Sequence, residues 1–382
     1  MFLEAETAFG LNLLQQLPLN ESLVFSPLSI ALALSLVHAG AKGNTKSQIA
    51  SAICKGKFYT KQFNKLKVKI SGANDDQLKQ HYSFLSNSLK NAKNGVEINL
   101  ANKAFIDKNF AIKNTYLEAI SDAYKASAQN IDISDQAEAA EVMNEFVKTT
   151  TKGKIAEIIK KDSISPGAVM FLINALYLKA DWKEEFKQSA TWDREFHIKE
   201  GVSKSIPFMS VKAKKRDYAS DDQVQVLSLP YKDTDYRFNI FLPKEKFGLE
   251  KVVKGLTAEK VQGLLGKLED TLLNIEIPKM KLEKELGLKE MLENIGLKDM
   301  FAESADFSEI SAAQLKVSKV VHKAIIEVDE KGTTAAAATA VEMVNKSLKM
   351  FFGNPIDFIA DHPFLFALTY KNHPLFIGVF NN

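Results

Sequence analysis

The chain has 382 residues, 46% of them hydrophobic, with 50 basic against 47 acidic side chains and a formal net charge of +3. A chain this long buries a core without staples, and so even a charge balance argues against a dedicated nucleic-acid binder, which carries a basic excess on one face. The single cysteine, Cys54, excludes an internal disulfide framework and any zinc site built on several thiolates.

The N-terminal stretch reads as a helix, with Phe9, Leu13 and Leu17 at i+4 spacing. Glu4 and Glu6 break the apolar run that a signal peptide needs, so a cytoplasmic protein is expected, with an extracellular one exported by an unconventional route as the alternative. Ser22 to Ala41 forms an uncharged stretch of twenty residues, long enough to suggest a membrane span. Ser26, Pro27, Ser29, Ser35 and His38 interrupt it, and Ser26-Pro27 reads as an N-cap followed by proline at the first helical position. A buried core helix near 26–39 is the expectation, with no membrane contact. Further helices are expected near 60–70, 76–90, 114–127 and 136–150.

Strand signals begin with the alternation of Val96–Leu100. The nearly continuous apolar run Val169–Leu178 suits a central strand buried on both faces. VQVLSLPY and YRFNIFLP flank residues 232–235 as a hairpin. Strands follow at 271–281, 314–328, 356–360, 363–370 and 374–380, with helices near 257–267 and 286–296. Helices first and strands later, without regular alternation, favour an α+β fold. Length alone suggests two or three domains. The late strands, however, must find distant partners, and one interlocked domain over 1–382 is expected.

Enzyme signatures are missing: no G-x-S-x-G, G-x-G-x-x-G, G-x-x-x-x-G-K-[ST] or H-E-x-x-H occurs. The six histidines, at 38, 81, 197, 322, 362 and 373, show no metal-ligand spacing. No catalytic residue, metal or cofactor is expected, and a hydrolase with a dispersed triad is the weakest reading. The unusual segment is Glu330 to Val341, EKGTTAAAATAV. As a helix it is alanine-rich but lacks an apolar face, and its threonines and valine are β-branched. Read with period two, Thr333, Ala335, Ala337, Thr339, Val341 and Met343 form one face, small and uncharged at its start and apolar at its end. A segment that is loop or helix at one time and fits a buried strand at another has the property of a switch, with Gly332 where a hinge is needed.

These residues resemble the serpin family. VFSPLSIALALSLVHAGAKGNTKSQI, ANKAFIDKNF, NEFVKTTTKGKI, FLINALYLKADWKEEF, IPFMS, LSLPY, IFLP, IEIPKMK, VVHKAIIEVDEKGTTAAAATAV, ADHPFLFAL and PLFIGVF follow in the family's order across about residues 5–380. Two departures stand out: the chain ends VFNN without the usual nearby proline, and the stretch between hinge and ADHPF is longer than usual. The resemblance implies three β-sheets, eight or nine helices and an exposed reactive-centre loop at about 330–352. It implies a monomeric suicide-substrate inhibitor that forms a covalent complex with a serine protease. Counting sixteen residues on from Glu330 places the scissile bond at Lys346-Ser347, and lysine there suits trypsin-like proteases. Lys349-Met350 is the competing bond. It also implies a hinge of Glu330, Gly332, Thr333, Ala335, Ala337 and Thr339. Ser26, Ser29, Asn174 and His322 match a polar shutter beneath the sheet, and Trp182, Lys279 and Glu330 match the breach where the loop enters. On residue chemistry alone these are satisfied buried polar groups and, for Lys279-Glu330, a surface ion pair worth little. A non-inhibitory carrier, chaperone or store, and a cross-class inhibitor of cysteine proteases, are the alternatives within the family.

Overall fold

The computed structural model describes residues 2–54, 74–333 and 354–382. The expected helix at 60–70 and residues 334–353 of the loop lie outside them.

Helix α1 (Phe2–Leu14) buries Phe9 and Leu13, and Leu17 packs beyond its end. Strand β1 (Leu23–Phe25) leads into α2 (Pro27–Gly40), where Ser26 accepts from Ser29 N as N-cap and Pro27 takes the first turn. Every α2 residue except Ala39 is buried, so its hydrophobicity serves a core rather than a bilayer. No helix among the described residues is long and apolar enough to cross a membrane. Then come α3 (Gly43–Cys54), absent from the sequence reading, and α4 (Asp75–Lys90), started by an Asn74–Gln77 capping box. Strand β2 (Val96–Asp107), α5 (Asn114–Tyr124), β3 (Ser127–Ile131), α6 (Gln136–Thr150) and β4 (Met170–Asp181) complete the first half.

The second half runs β5 (Thr191–Lys199), β6 (Val202–Ser220), β7 (Val224–Pro230), β8 (Tyr236–Pro243), α7 (Leu249–Gly255), α8 (Ala258–Leu265), β9 (Glu269–Pro278), β10 (Met280–Gly287) and α9 (Lys289–Asn294). It ends with β11 (Lys319–Asp329), β12 (Gly332–Thr333), β13 (Ile356–Ile359), β14 (Phe364–Tyr370) and β15 (His373–Phe380). The strand expected at 271–281 is two strands. Pro278, which has no amide hydrogen to donate, closes β9, and β10 departs into the other sheet. The β5–β6 hairpin was not foreseen, because polar and charged residues crowd both of its strands.

Hydrogen bonding joins the strands into two ladders. The first runs β10-β11-β12-β4-β2-β3, with β11 and β4 also paired directly; the second runs β1-β15-β14-β8-β7-β6-β9-β13, with β5 on β6. The larger ladder is two sheets joined through β6, whose pairing with β9 slips between Val211 and Lys214. Residues before the slip face β5, and those after it continue to β7. The family's three sheets are thereby accounted for.

The main core lies between the two ladders and takes in α1, α2, Leu172, Leu176 and Leu178. A second cluster under α6 holds Phe171, Ile173, Ala175 and Tyr177 from the opposite face of the same strand. Strand β4 is thus buried on both faces, which explains its unbroken apolar run. The polar exception is Asn174, fully buried at its middle.

Candidate functional site

Strands β4 and β11 lie side by side in parallel through seven registered pairs, from Phe171↔Lys319 to Tyr177↔Ile325. His322 stands opposite Asn174, and Asn102 of β2 stands opposite Asn174 on its other flank. All four residues expected of the shutter meet here. The Ser26 backbone N–H donates to His322 Nε2 at 2.9 Å. That nitrogen is therefore bare, and the ring proton sits on Nδ1, which donates to Asn174 Oδ1. Asn174 Nδ2 donates in turn to Ser29 O at 3.1 Å, to Ser29 Oγ and to Asn102 Oδ1. The network ties β2, β4 and β11 to the start of α2 with every polar group matched, as burial requires. Burial pulls the His322 pKa down from 6.5 to about 3, so the ring is neutral. A second proton would have to go on Nε2, facing the Ser26 donor.

At its upper end the seam is already parted. The two-residue strand β12 sits antiparallel to both neighbours, pairing Gly332 with Asp329 and Asp181, and Thr333 with Val328 and Ala180. Glycine is required at 332: φ is +150°, and a Cβ there would lie 2.0 Å from Ala180 O. Asp329 makes the turn by accepting from Lys331 N at 2.9 Å. Thr333 is fully buried, with its hydroxyl 2.7 Å from Tyr231 Oη. The indole of Trp182 lies parallel to the Tyr231 ring, with centroids 4.5 Å apart. Trp182 donates from Nε1 to Asp329 O and from its backbone to Lys331 O.

Glu330 closes the cluster. Its carboxylate accepts from Lys279 Nζ at 2.9 Å and from Thr191 Oγ1 at 2.7 Å. Burial works to raise its pKa, but the hydrogen bonds from Lys279 and Thr191 outweigh that and hold it below the ordinary carboxylate range. With the Glu330 side chain only 10% exposed, this is more than a solvated surface pair. The residues expected of the breach are therefore together, as are Glu330, Gly332 and Thr333 of the hinge. Ala335, Ala337, Thr339, Lys346, Ser347, Lys349 and Met350 lie outside the described residues. Asn102, Thr191, Tyr231 and Asp329 belong to the two networks but carried no sequence signal. Each is a common residue type whose partner is fixed only by sheet register.

Such an architecture has known relatives. A family profile described as "Serpin (serine protease inhibitor)" matches residues 4–382. Iripin-2 of Ixodes ricinus is 32% identical over 99% of this chain and 92% of its own. Serpin B6 of Macaca fascicularis is 34% identical over 99% and 98%. Among solved structures, Serpin48 of the insect Tenebrio molitor superposes with a TM-score of 0.86 at 25% identity, covering 100% of this chain and 98% of that one. Uncleaved ovalbumin gives 0.84 at 26%, covering 100% and 99%. The chain belongs to the serpin family.

The buried neutral histidine sets an acid dependence. Between pH ~6.5 and ~3 the unfolded chain takes up a proton that folded His322 refuses, so stability falls as pH falls, by at most ~1.4 kcal/mol per pH unit for this one group. Buried His38, lowered to about 4, adds a loss of the same sign. Urea unfolding at pH 7.5 and 5 should show a smaller acid loss in His322→Gln than in the parent. Equal losses would place the sensitivity outside the seam.

Proposed function

We propose that this serpin is a suicide-substrate inhibitor of trypsin-like serine proteases, cleaved at Lys346-Ser347 and completing the β4–β11 seam with its own loop. The observation that supports this most is the register of β12. Continued along β4, where Thr333 faces Ala180, the chain would bring residues 336–342 opposite Tyr177 to Phe171. Continued along β11, where Thr333 faces Val328, it would bring the same residues opposite Ile325 to Lys319. Both flanks therefore call for one seven-residue stretch, Ala336–Glu342, in place of the seam's seven direct pairs. On either count Thr339 would stand against both Asn174 and His322. The face that Thr339 shares with Thr333 needs small side chains between them, and Ala335 and Ala337 supply them.

The chemistry follows from the tether. The loop is held in the central ladder by β12 and in the other ladder by β13, where Ile356 pairs with Leu273. The protease serine attacks the Lys346 carbonyl carbon, the bond to the Ser347 nitrogen breaks, and that nitrogen leaves with a proton. An ester then joins protease and Lys346, and the upstream loop is released from β13. From Thr333 to Lys346 there are fourteen residues, about 45 Å of strand at ~3.3 Å each. Insertion would carry the protease that far, and a displacement of ~1 Å in its active site costs ~100-fold in rate, which strands the ester. The chain would then act as a consumed substrate and not as a catalyst.

We read the 382 residues as one domain, because β1 near the start pairs with β15 at the end. A loop that works outside the secretory pathway fits the sequon Asn345-Lys346-Ser347, since a glycan beside the bond would obstruct the protease.

Mixed with trypsin, the protein should give a complex that survives denaturant, and mass spectrometry should find a new N-terminus at Ser347. A terminus at Met350 would move the bond to Lys349-Met350. Digestion without a complex would remove the inhibitory reading and favour a carrier, chaperone or store.

Thr339→Arg should turn inhibitor into substrate, because insertion would bury a charge beside two buried polar groups. Cleavage at an unchanged rate with at least about tenfold less complex, a difference of ~1.4 kcal/mol in partitioning, is the expected readout. Full trapping by this variant would contradict the insertion register.

A further inference from the structure

Three side chains remote in sequence meet away from the seam: Glu6 on α1, His81 on α4 and His373 at the start of β15. His81 Nε2 lies 2.7 Å from Glu6 Oε1, and His373 Nδ1 lies 2.5 Å from Glu6 Oε2. One donor atom from each lies within 4.8 Å of the other two. The Glu6 side chain is 1% exposed, whereas His81 and His373 keep 15% and 17%, so a small ion can reach the cluster past the imidazole edges. Phe2 stacks flat on His81 at 3.9 Å and walls one side with hydrocarbon. The neighbouring Tyr82 hydroxyl is engaged, donating to Ile53 O. No sequence spacing marked these histidines, because the fold alone unites positions 75 and 367 residues from Glu6.

We propose that Glu6, His81 and His373 form a binding site for a zinc-class divalent cation. Two imidazoles and a carboxylate with a fourth position for water are a zinc donor set. Bonds of ~2.1 Å in a tetrahedron set neighbouring donors ~3.4 Å apart. Glu6 would coordinate through one oxygen, and the nitrogen now bonded to that oxygen must move away by under about 1 Å. The remaining donor pairs, all within 4.8 Å of one another, must close toward the same spacing, which small rotations of the imidazoles and the carboxylate supply. Each coordinating nitrogen must present its lone pair, so His81 moves its proton to Nδ1 and His373 moves its proton to Nε2. The ion would replace two hydrogen bonds with one centre joining α1, α4 and β15. Binding only the folded chain, it stabilises that state by mass action. This site stands apart from the protease reading, and neither depends on the other.

The test uses the full-length protein stripped with chelator and titrated with Zn2+ alone. One ion per chain should bind by equilibrium dialysis, and the thermal midpoint should rise with free Zn2+. His81→Gln and His373→Gln should each weaken binding at least about 100-fold, beyond the 10–100-fold typical of losing an outer-shell partner. Glutamine can still donate to Glu6, so the metal-free midpoints should stay near the parent's and show that the variants fold. Co2+ should give tetrahedral ligand-field bands in the parent and lose them in both variants. Absence of stoichiometric binding, or binding and Co2+ spectra unchanged in both variants, would overturn the site and leave a purely hydrogen-bonded triad.

Discussion

Everything in this molecule is arranged around one pair of strands that touch directly. Between Phe171–Tyr177 and Lys319–Ile325 the central ladder is a parallel seam of seven pairs. Parallel pairing is slightly less stable per residue than antiparallel pairing. A strand entering the seam from β12 would run antiparallel to both flanks, replacing one weaker ladder with two stronger ones. On the proposed insertion, the closed sheet would thus not be the arrangement with the most backbone bonding available to this chain.

What keeps it closed is concentrated at two points. In the middle, the Asn174–His322 pair draws Ser26, Ser29 and Asn102 into one buried network, and parting it exposes polar groups that only each other satisfy. At the top, the chain is held half-entered. Glycine alone fits against Ala180 O, Trp182 clasps the turn through two hydrogen bonds, and Lys279 and Thr191 hold Glu330. The upper point also buries the stacked rings of Trp182 and Tyr231, whereas the middle one is almost wholly polar. Both are hydrogen-bonded latches set into a seam otherwise closed by apolar packing.

Much of this was legible before any coordinates. The apolar run of β4 announced a strand buried on both faces, and Ser26-Pro27 announced the start of α2, because local chemistry decides both. The shutter and breach residues came only through family resemblance, since a buried asparagine looks like any other asparagine in sequence. Asn102 and Tyr231 were invisible because register, a property of the assembled sheet, chooses them. The β9–β10 break was missed because IEIPKMK alternates as one strand does; the missing donor at Pro278 marks the change of sheet. The β5–β6 hairpin hid for the opposite reason, its solvent-facing charges masking a strand pattern.

The polar latch at the centre also has to suit the opened seam, and the proposed register says how. Insertion would separate His322 from Asn174 and leave Nδ1–H and Oδ1 facing a new neighbour. A hydroxyl both donates and accepts, so Thr339 would accept from His322 Nδ1 and donate to Asn174 Oδ1. Valine, with nearly the same shape, would leave both unsatisfied, at ~1–3 kcal/mol for each buried group. Alanine elsewhere on that face needs only to be small. On the proposed register, a threonine in an alanine-rich stretch, at the one position that would meet the buried pair, would let the same two side chains be satisfied before and after the strand enters.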